Sequence, residues 1–243
     1  MHDAGTAGIG DTKSWSALSR EIMVDRQIRP FGVTDQRLLA RMLEVPREHF
    51  LPAEQASLAY SDLALRLKPA VSGGDGRELL PPLVLARLIQ GAEVAPGDNV
   101  LDIAPGTGYS SAILAGLAAG VVALESEQAY YERLWSNLEM LKIANAQAQM
   151  GPLAVGAPDD GPFNVILING RVEANLEALF AQLKGGGRLV AIDSVPGDFS
   201  SRAGKGVRYD KTGDGSTIGC RTFFDAGAAL LRDFKRAEQF TFS

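Results

Sequence analysis

Cysteine is almost absent from this chain. Cys220 is the only one in 243 residues, so no internal disulfide can form and an oxidising compartment is not implied. Histidine is nearly as scarce: His2 and His49 are too few to build a zinc site with that one cysteine. No apolar run approaches the ~20 residues that a membrane-spanning helix needs. The opening MHDAGTAGIGDTKSW has no basic start followed by an apolar stretch, so it does not read as a secretory signal. Clusters of Lys and Arg are missing, and the formal net charge is -5, which disfavours a nucleic-acid-binding surface. Together these absences lead us to expect a cytoplasmic protein with no metal, membrane or nucleic-acid partner. What is present is ordinary for a globular chain, with 46% hydrophobic and 22% charged residues.

Length and patterning suggest one domain in three stretches: a loose tail over 1–13, a helical region over 14–95, and an α/β core with C-terminal strands over 96–243. Helical spacing begins at Trp15, Leu18 and Ile22. Arg29-Pro30-Phe31-Gly32 breaks that helix. Thr34 or Asp35 can cap the next, whose apolar face is Leu38, Leu39, Met42 and Leu43, and Pro46 ends it. Residues Ser72 to Gly76 read as a loop, and Pro82 suits the first turn of a helix carrying Val84, Leu85, Leu88 and Ile89.

From Asn99 strands and helices alternate. Val100–Ile103, Val121–Leu124, Ala146–Met150, Phe163–Ile168 and Arg188–Ile192 read as strands. Between them lie helical stretches from Tyr109 to Ala119, along Tyr130, Leu134, Leu138 and Leu141, and from Leu176 to Leu183. That alternation implies a doubly wound, mostly parallel sheet with helices on both faces. After Gly197, Gly and Asp turns around Ile218 and Phe223-Phe224 suggest antiparallel strands, with Phe240–Phe242 as the last.

The chemistry concentrates in LDIAPGTGYSSA, Leu101 to Ala112. Asp102 closes a strand, Gly106 and Gly108 make a sharp turn, and Tyr109 opens a helix. Glycine is required where the backbone turns tightly and a ligand approaches it. Ligands of open α/β sheets bind at this carboxyl edge. Glu125 ends the second strand, 17 residues after Gly108, where a carboxylate can accept both hydroxyls of a ribose. NAD and S-adenosylmethionine share that need, and Asp102 discriminates. An acidic residue at the first turn suits the ammonium and sulfonium of S-adenosylmethionine and repels a pyrophosphate. Ser111 stands where a dinucleotide fold wants its third glycine. A lone Gly-x-Gly turn is a weak signal, and Glu125 read by itself is also compatible with a solvated strand end.

Several ordered blocks resemble the protein-L-isoaspartate O-methyltransferase family. MVDRQIRPFGVTDQRLLARMLEVPREHFLP, Met23 to Pro52, is similar to its N-terminal helices and Val-Pro-Arg segment. LDIAPGTGYSSAILA is similar to its glycine motif, GPFNVILING to its fourth strand, and LKGGGRLVAI to the turn and strand beyond. The resemblance implies the Rossmann-like methyltransferase fold and S-adenosylmethionine as cofactor. It also implies methylation of L-isoaspartyl carboxylates, a protein-repair reaction, on a protein or peptide substrate. The implied cofactor residues are Asp102, Ala104, Pro105, Gly106, Thr107, Gly108, Glu125, Ser126, Gly151 and Pro152.

The departures are as specific. Where the family reads Gly-Gln-Thr-Ile-Ser-Gln-Pro, this chain has Gly76-Arg77-Glu78-Leu79-Leu80-Pro81-Pro82, so Leu80 occupies the place of the active-site serine. Arg77, Leu79 and Leu80 are the implied acceptor residues, with Arg77 either a substitute cation for a carboxylate or a solvent-facing loop charge. Gly151-Pro152-Leu153 stands where the family tends to have Gly-Asp-Gly, and Ala104 replaces the first glycine of the turn. A methyltransferase with another acceptor, and a non-catalytic cofactor-binding protein, therefore stay open beside the first reading. His49 reads as a structural loop residue, Tyr131 and Trp135 as core, and Cys220 as a small buried hydrophobe.

Overall fold

A computed structural model describes residues 9–67, 77–195 and 202–237. The expected loop Ser72–Gly76 and the expected strand Phe240–Phe242 lie outside the described residues.

The first helix, α1 (Ile9–Ile22), begins inside the expected tail and continues as a π-helix over Met23–Ile28. Met23, Val24 and Ile28 are buried, whereas Trp15, Leu18 and Ile22 face outward. The helical spacing of those three thus marks a helix but not its core-facing side. Gly32, at φ 87°, closes the 3-10 turn of Arg29–Phe31, a left-handed conformation open to glycine without a Cβ penalty. Asp35 then caps α2 (Gln36–Glu44) by accepting the Arg37 and Leu38 N–H groups at 2.9 and 3.2 Å, a contact worth about 1 kcal/mol. Leu38, Leu39 and Met42 turn into the core from α2.

A two-stranded antiparallel ribbon follows, β1 (Leu65–Arg66) with β2 (Glu78–Leu79). Next come α3 (Pro82–Ala92), β3 (Asn99–Ile103), α4 (Tyr109–Ala115), β4 (Gly120–Glu125), α5 (Gln128–Met140), β5 (Ala146–Met150) and β6 (Phe163–Val172). Then follow α6 (Glu177–Ala181), β7 (Leu183–Ser194), β8 (Ala203–Lys211) and β9 (Ile218–Gly227). Strands β3 to β9 form one seven-stranded sheet in the order β5-β4-β3-β6-β7-β8-β9. It is parallel from β5 to β7 and antiparallel across β8 and β9. Val165–Ile168 and Leu189–Ile192 are wholly buried, as parallel strands covered on both faces must be.

The order reverses beside β3, since β4 and β5 lie on one side of it and β6 on the other. Such a reversal opens a crevice at the carboxyl ends of the strands, and the glycine turn after β3 lies there. Two sequence expectations fail on the surface. Trp135 is 56% exposed on α5, and Cys220 is exposed on β9. On α5 the buried stripe is Tyr130, Leu134 and Leu138, spaced by four, so Trp135 falls one residue and about 100° round from Leu134. Strand β9 is the sheet edge, and Cys220 projects from it away from the core. His49 is exposed in the 3-10 turn of Arg47–Phe50, clear of the crevice residues named below in its hydrogen bonding.

Candidate functional site

Two carboxylates end neighbouring strands at the crevice. Asp102, on β3, is fully buried, and all its donors are protein side chains. Ser110 and Ser111, from the first turn of α4, donate to one oxygen at 2.7 and 2.6 Å. Asn169, near the end of β6, donates to the other at 2.6 Å and also to the Ile103 carbonyl at 3.0 Å. Burial raises the Asp102 carboxyl to about 6, against the pull of Ser111, Ser110 and Asn169. The Glu125 charge pushes the same way as burial, so the two carboxylates sense one another.

Glu125 ends β4 with no exposure. The Gly106 N–H donates to its Oε1 at 2.7 Å and the Ser126 N–H to its Oε2 at 3.2 Å. Arg77 Nε lies 3.1 Å from each oxygen, and Arg77 Nη2 lies 3.1 Å from Oε2. Burial pushes the Glu125 carboxyl above its ordinary range while Arg77, Gly106 and Ser126 oppose it. The sequence expectation offered Arg77 either an acceptor carboxylate or solvent. The guanidinium is turned inward, 1% exposed, onto Glu125, with Nη2 also donating to Ser126 Oγ at 2.9 Å.

The turn between the carboxylates has left-handed backbone at Ala104 (φ 56°), Gly106 (φ 62°) and Gly108 (φ 97°). Ala104, in the place of the family's first glycine, holds that conformation despite its Cβ, an uncommon state for a residue other than glycine. Its N–H donates to the Leu124 carbonyl at 3.0 Å, and Pro105 accepts the Gly108 N–H at 3.0 Å. Thr107 donates its hydroxyl to the Phe50 carbonyl at 2.6 Å, while its own carbonyl accepts Asn137 Nδ2 at 2.9 Å. The loop is therefore pinned to the N-terminal helices on one side and to α5 on the other. A Cβ on Gly108 would stand 2.6 Å from Leu134 Cδ1, and one on Gly106 would stand 2.5 Å from Leu67 Cδ1. Past β5, the Gly151 N–H donates to the Glu125 carbonyl at 2.9 Å. Pro152 is exposed, and Leu153 is buried.

Leu79 and Leu80 are both buried, and Leu80 is part of the main apolar cluster. The Leu80 carbonyl is held at 2.8 Å by Nη2 of Arg47, itself fully buried. Arg47 Nε donates to the Ala59 carbonyl at 2.8 Å, and the guanidinium lies 4.7 Å from the Tyr109 ring centroid. Desolvation lowers the Arg47 pKa. Its cation is met by carbonyl dipoles and an aromatic face.

The sequence reading brought Asp102, Glu125 and the turn together but passed over four residues that shape them. Asn169 lay unremarked inside GPFNVILING, Ser110 in the glycine motif, and Arg47 in the Val-Pro-Arg block. Tyr130, expected on the apolar face of its helix, also has its hydroxyl donating to the Leu67 carbonyl at 3.3 Å and accepting the Arg77 N–H at 3.2 Å. The one available signal was the placement of Ser110, Ser111 and Asn169 in blocks already marked as chemical. Among the described residues no cluster of His, Cys, Asp and Glu could hold a metal ion. Among them, too, no helix is long and apolar enough to cross a membrane.

The donor set suits a nucleoside with a positively charged tail. Glu125 is a buried acceptor at a strand end, Asp102 sets a second carboxylate beside the turn, and Gly106 leaves the backbone bare of a Cβ. Arg77 and Leu67 stand where such a ligand would approach.

Comparison with known proteins gives a consistent picture. Residues 19–222 match the family model described as protein-L-isoaspartate(D-aspartate) O-methyltransferase. A protein-L-isoaspartate O-methyltransferase of Koribacter versatilis is 38% identical over 176 residues, 72% of this chain and 76% of that protein. Protein-L-isoaspartate O-methyltransferase 1 of Rhodopseudomonas palustris is 35% identical over 204 residues, 84% of this chain and 79% of the relative. A solved structure titled protein-L-isoaspartate O-methyltransferase superposes with TM-score 0.74 at 26% identity, covering 87% of this chain and 65% of that one. A Plasmodium falciparum structure, described as a complex of such an enzyme with S-adenosyl-L-homocysteine, superposes with TM-score 0.69. At 18% identity, covering 88% of this chain and 98% of its own, it speaks for the fold.

Proposed function

Since this chain belongs to the protein-L-isoaspartate(D-aspartate) O-methyltransferase family, we propose that it uses S-adenosylmethionine to methylate the free α-carboxylate of L-isoaspartyl residues in proteins. The observation that carries the reading is the pair of buried carboxylates, Asp102 and Glu125, at the ends of adjacent parallel strands on either side of the glycine turn.

In this reading Glu125 accepts the ribose hydroxyls, with Ser126 beside it. Gly106 and Gly108 let the backbone of Ala104–Gly108 meet the ligand closely. Asp102 supplies the negative potential that favours the cationic tail, and Ser110, Ser111 and Asn169 keep it ionised at neutral pH. Gly151 and Pro152 border the base. S-adenosylmethionine supplies an activated methyl group on a sulfonium that leaves as a neutral thioether. The acceptor carboxylate is ionised at neutral pH, because free carboxylic acids titrate near pH ~4. No side chain has to remove a proton, so the chemistry needs no His–Asp pair. What remains for the protein is to position the nucleophile in line, an effect that supplies up to ~7–11 kcal/mol, and to exclude water from it. Arg77, Leu79 and Leu80 lie on the acceptor side in this reading. We place the reaction in the cytoplasm, in keeping with a chain that can form no internal disulfide.

Purified protein incubated with methyl-labelled S-adenosylmethionine and an isoaspartyl peptide is expected to give a base-labile methyl ester. Label that never reaches the peptide, or that survives mild base, refutes the acceptor. The burial of Leu80 favours one second reading, a methyltransferase for a different acceptor. In that case label appears on another carboxylate or nucleophile in a substrate screen while the isoaspartyl peptide stays unlabelled.

A further inference from the structure

The nucleoside seat is filled by the chain's own residues. Glu125 offers about four lone-pair positions; Gly106 N–H, Ser126 N–H and Arg77 Nε, shared between both oxygens, donate to them, and Arg77 Nη2 lies 3.1 Å from Oε2 as an ion pair. The guanidinium therefore lies across both oxygens, where two ribose hydroxyls would have to donate. Over the turn, a Cβ at Gly106 would meet Leu67 Cδ1 at 2.5 Å and Arg77 Cβ at 3.4 Å, so these side chains cover the backbone that a ligand must reach. The cover is fastened. The Leu67 N–H donates to the Arg77 carbonyl at 2.8 Å, and the Tyr130 hydroxyl joins both residues to α5.

A cation withdrawn from a buried carboxylate needs another anion, because an uncompensated buried charge is strongly unfavourable. Arg77 also heads the Glu78-Leu79-Leu80 segment, in which neither leucine offers a hydrogen bond to an acceptor. We infer that Arg77 is an internal competitor for the ribose carboxylate and, once displaced by the nucleoside, the residue that receives the acceptor's carboxylate. Cofactor and acceptor then bind in that order. The inference rests on the cofactor assignment of Glu125 proposed above. Glu127, whose Oε1 lies 3.8 Å from Arg77 Nη1, is the alternative resting place for the displaced guanidinium.

Calorimetry on the full chain separates these possibilities, with S-adenosylhomocysteine and an isoaspartyl peptide as the probes. Wild-type protein is expected to bind the peptide only when the nucleoside is present. Arg77→Gln and Arg77→Ala are expected to bind the nucleoside at least about tenfold more tightly, the gain expected when a competing closed state is removed. Both variants are also expected to lose peptide affinity by at least about tenfold. Nucleoside affinities equal to wild type within about twofold overturn the competition. Peptide binding that is unchanged in the variants overturns the acceptor role and leaves Glu127 as the resting place of the guanidinium in the wild-type protein. Peptide binding to wild type without nucleoside overturns the order, and that arm needs no variant to fold. If neither wild type nor variant binds the nucleoside, the cofactor assignment itself fails, an outcome distinct from all of these.

Discussion

Replacing Leu80 by the serine that the family places there should unfold the protein more readily rather than restore an anchor. Leu80 is 3% exposed and belongs to the apolar cluster that also holds Leu65, Leu67, Leu79 and Leu85. Truncating a buried leucine to the size of alanine costs about 2–5 kcal/mol, as transfer free energy plus the cavity left behind. The hydroxyl adds about 1–3 kcal/mol if it finds no partner in that apolar setting. The Leu80 carbonyl already accepts Arg47 Nη2 at 2.8 Å. The sum is at least about 3 kcal/mol, which at a urea slope of about 3 kcal/mol/M lowers the midpoint by roughly 1 M. A urea titration of Leu80→Ser against wild type, followed by far-ultraviolet circular dichroism, reads that shift directly. A midpoint displaced by less than about 0.2 M would show that the Leu80 side chain contributes little to the core. The same variant in the labelled-methyl assay is expected to show no gain in isoaspartyl turnover.

Asp102→Asn should change how stability depends on pH. A carboxyl at its ordinary value in the unfolded chain and near 6 when folded binds more protons in the folded state between those values. Wild-type stability therefore falls as pH rises from about 4 to about 6 and is level above, by about 3 kcal/mol at ~1.4 kcal/mol per pH unit of displacement. Thermal melts across that window should show the decline in wild type and a flatter profile in the variant; parallel profiles would refute the buried-anion account. Glu125→Gln leaves Arg77 buried beside a neutral amide and should cost about 3–5 kcal/mol, with a double-mutant cycle against Arg77→Ala showing strong coupling; additive effects would disprove the contact. Gly108→Ala meets both a positive φ and Leu134 Cδ1 at 2.6 Å, and a loss of about 1–3 kcal/mol in chemical denaturation is expected; a neutral result would mean the turn relaxes freely.

How much could be read from the chain alone follows from the range of each interaction. The strands were legible because parallel strands buried on both faces must be apolar runs, as in Val100–Ile103 and Phe163–Ile168, although β6 and β7 extend beyond those limits. The break at Arg29–Gly32 and a cap at Thr34 or Asp35 are decided by near neighbours in the chain, and the structure selects Asp35. Trp135 and Cys220 were misplaced because an apolar side chain says nothing of whether its helix face or edge strand is covered. Helix α4 ends at Ala115, short of the expected Ala119, because Gly116 caps it, while the Leu-Ala-Ala that follows keeps a helix-forming composition.

The order of elements, the glycine turn and the two strand-end carboxylates were written into local sequence, since apolar runs, turn residues and their spacing depend on near neighbours. Only the folded chain could decide which partners those carboxylates take. Arg77 and Glu125 are 48 positions apart, and Asn169 and Asp102 67. Buried charge must find its counter-charge somewhere in space, and the sheet and the ribbon packed over it determine where.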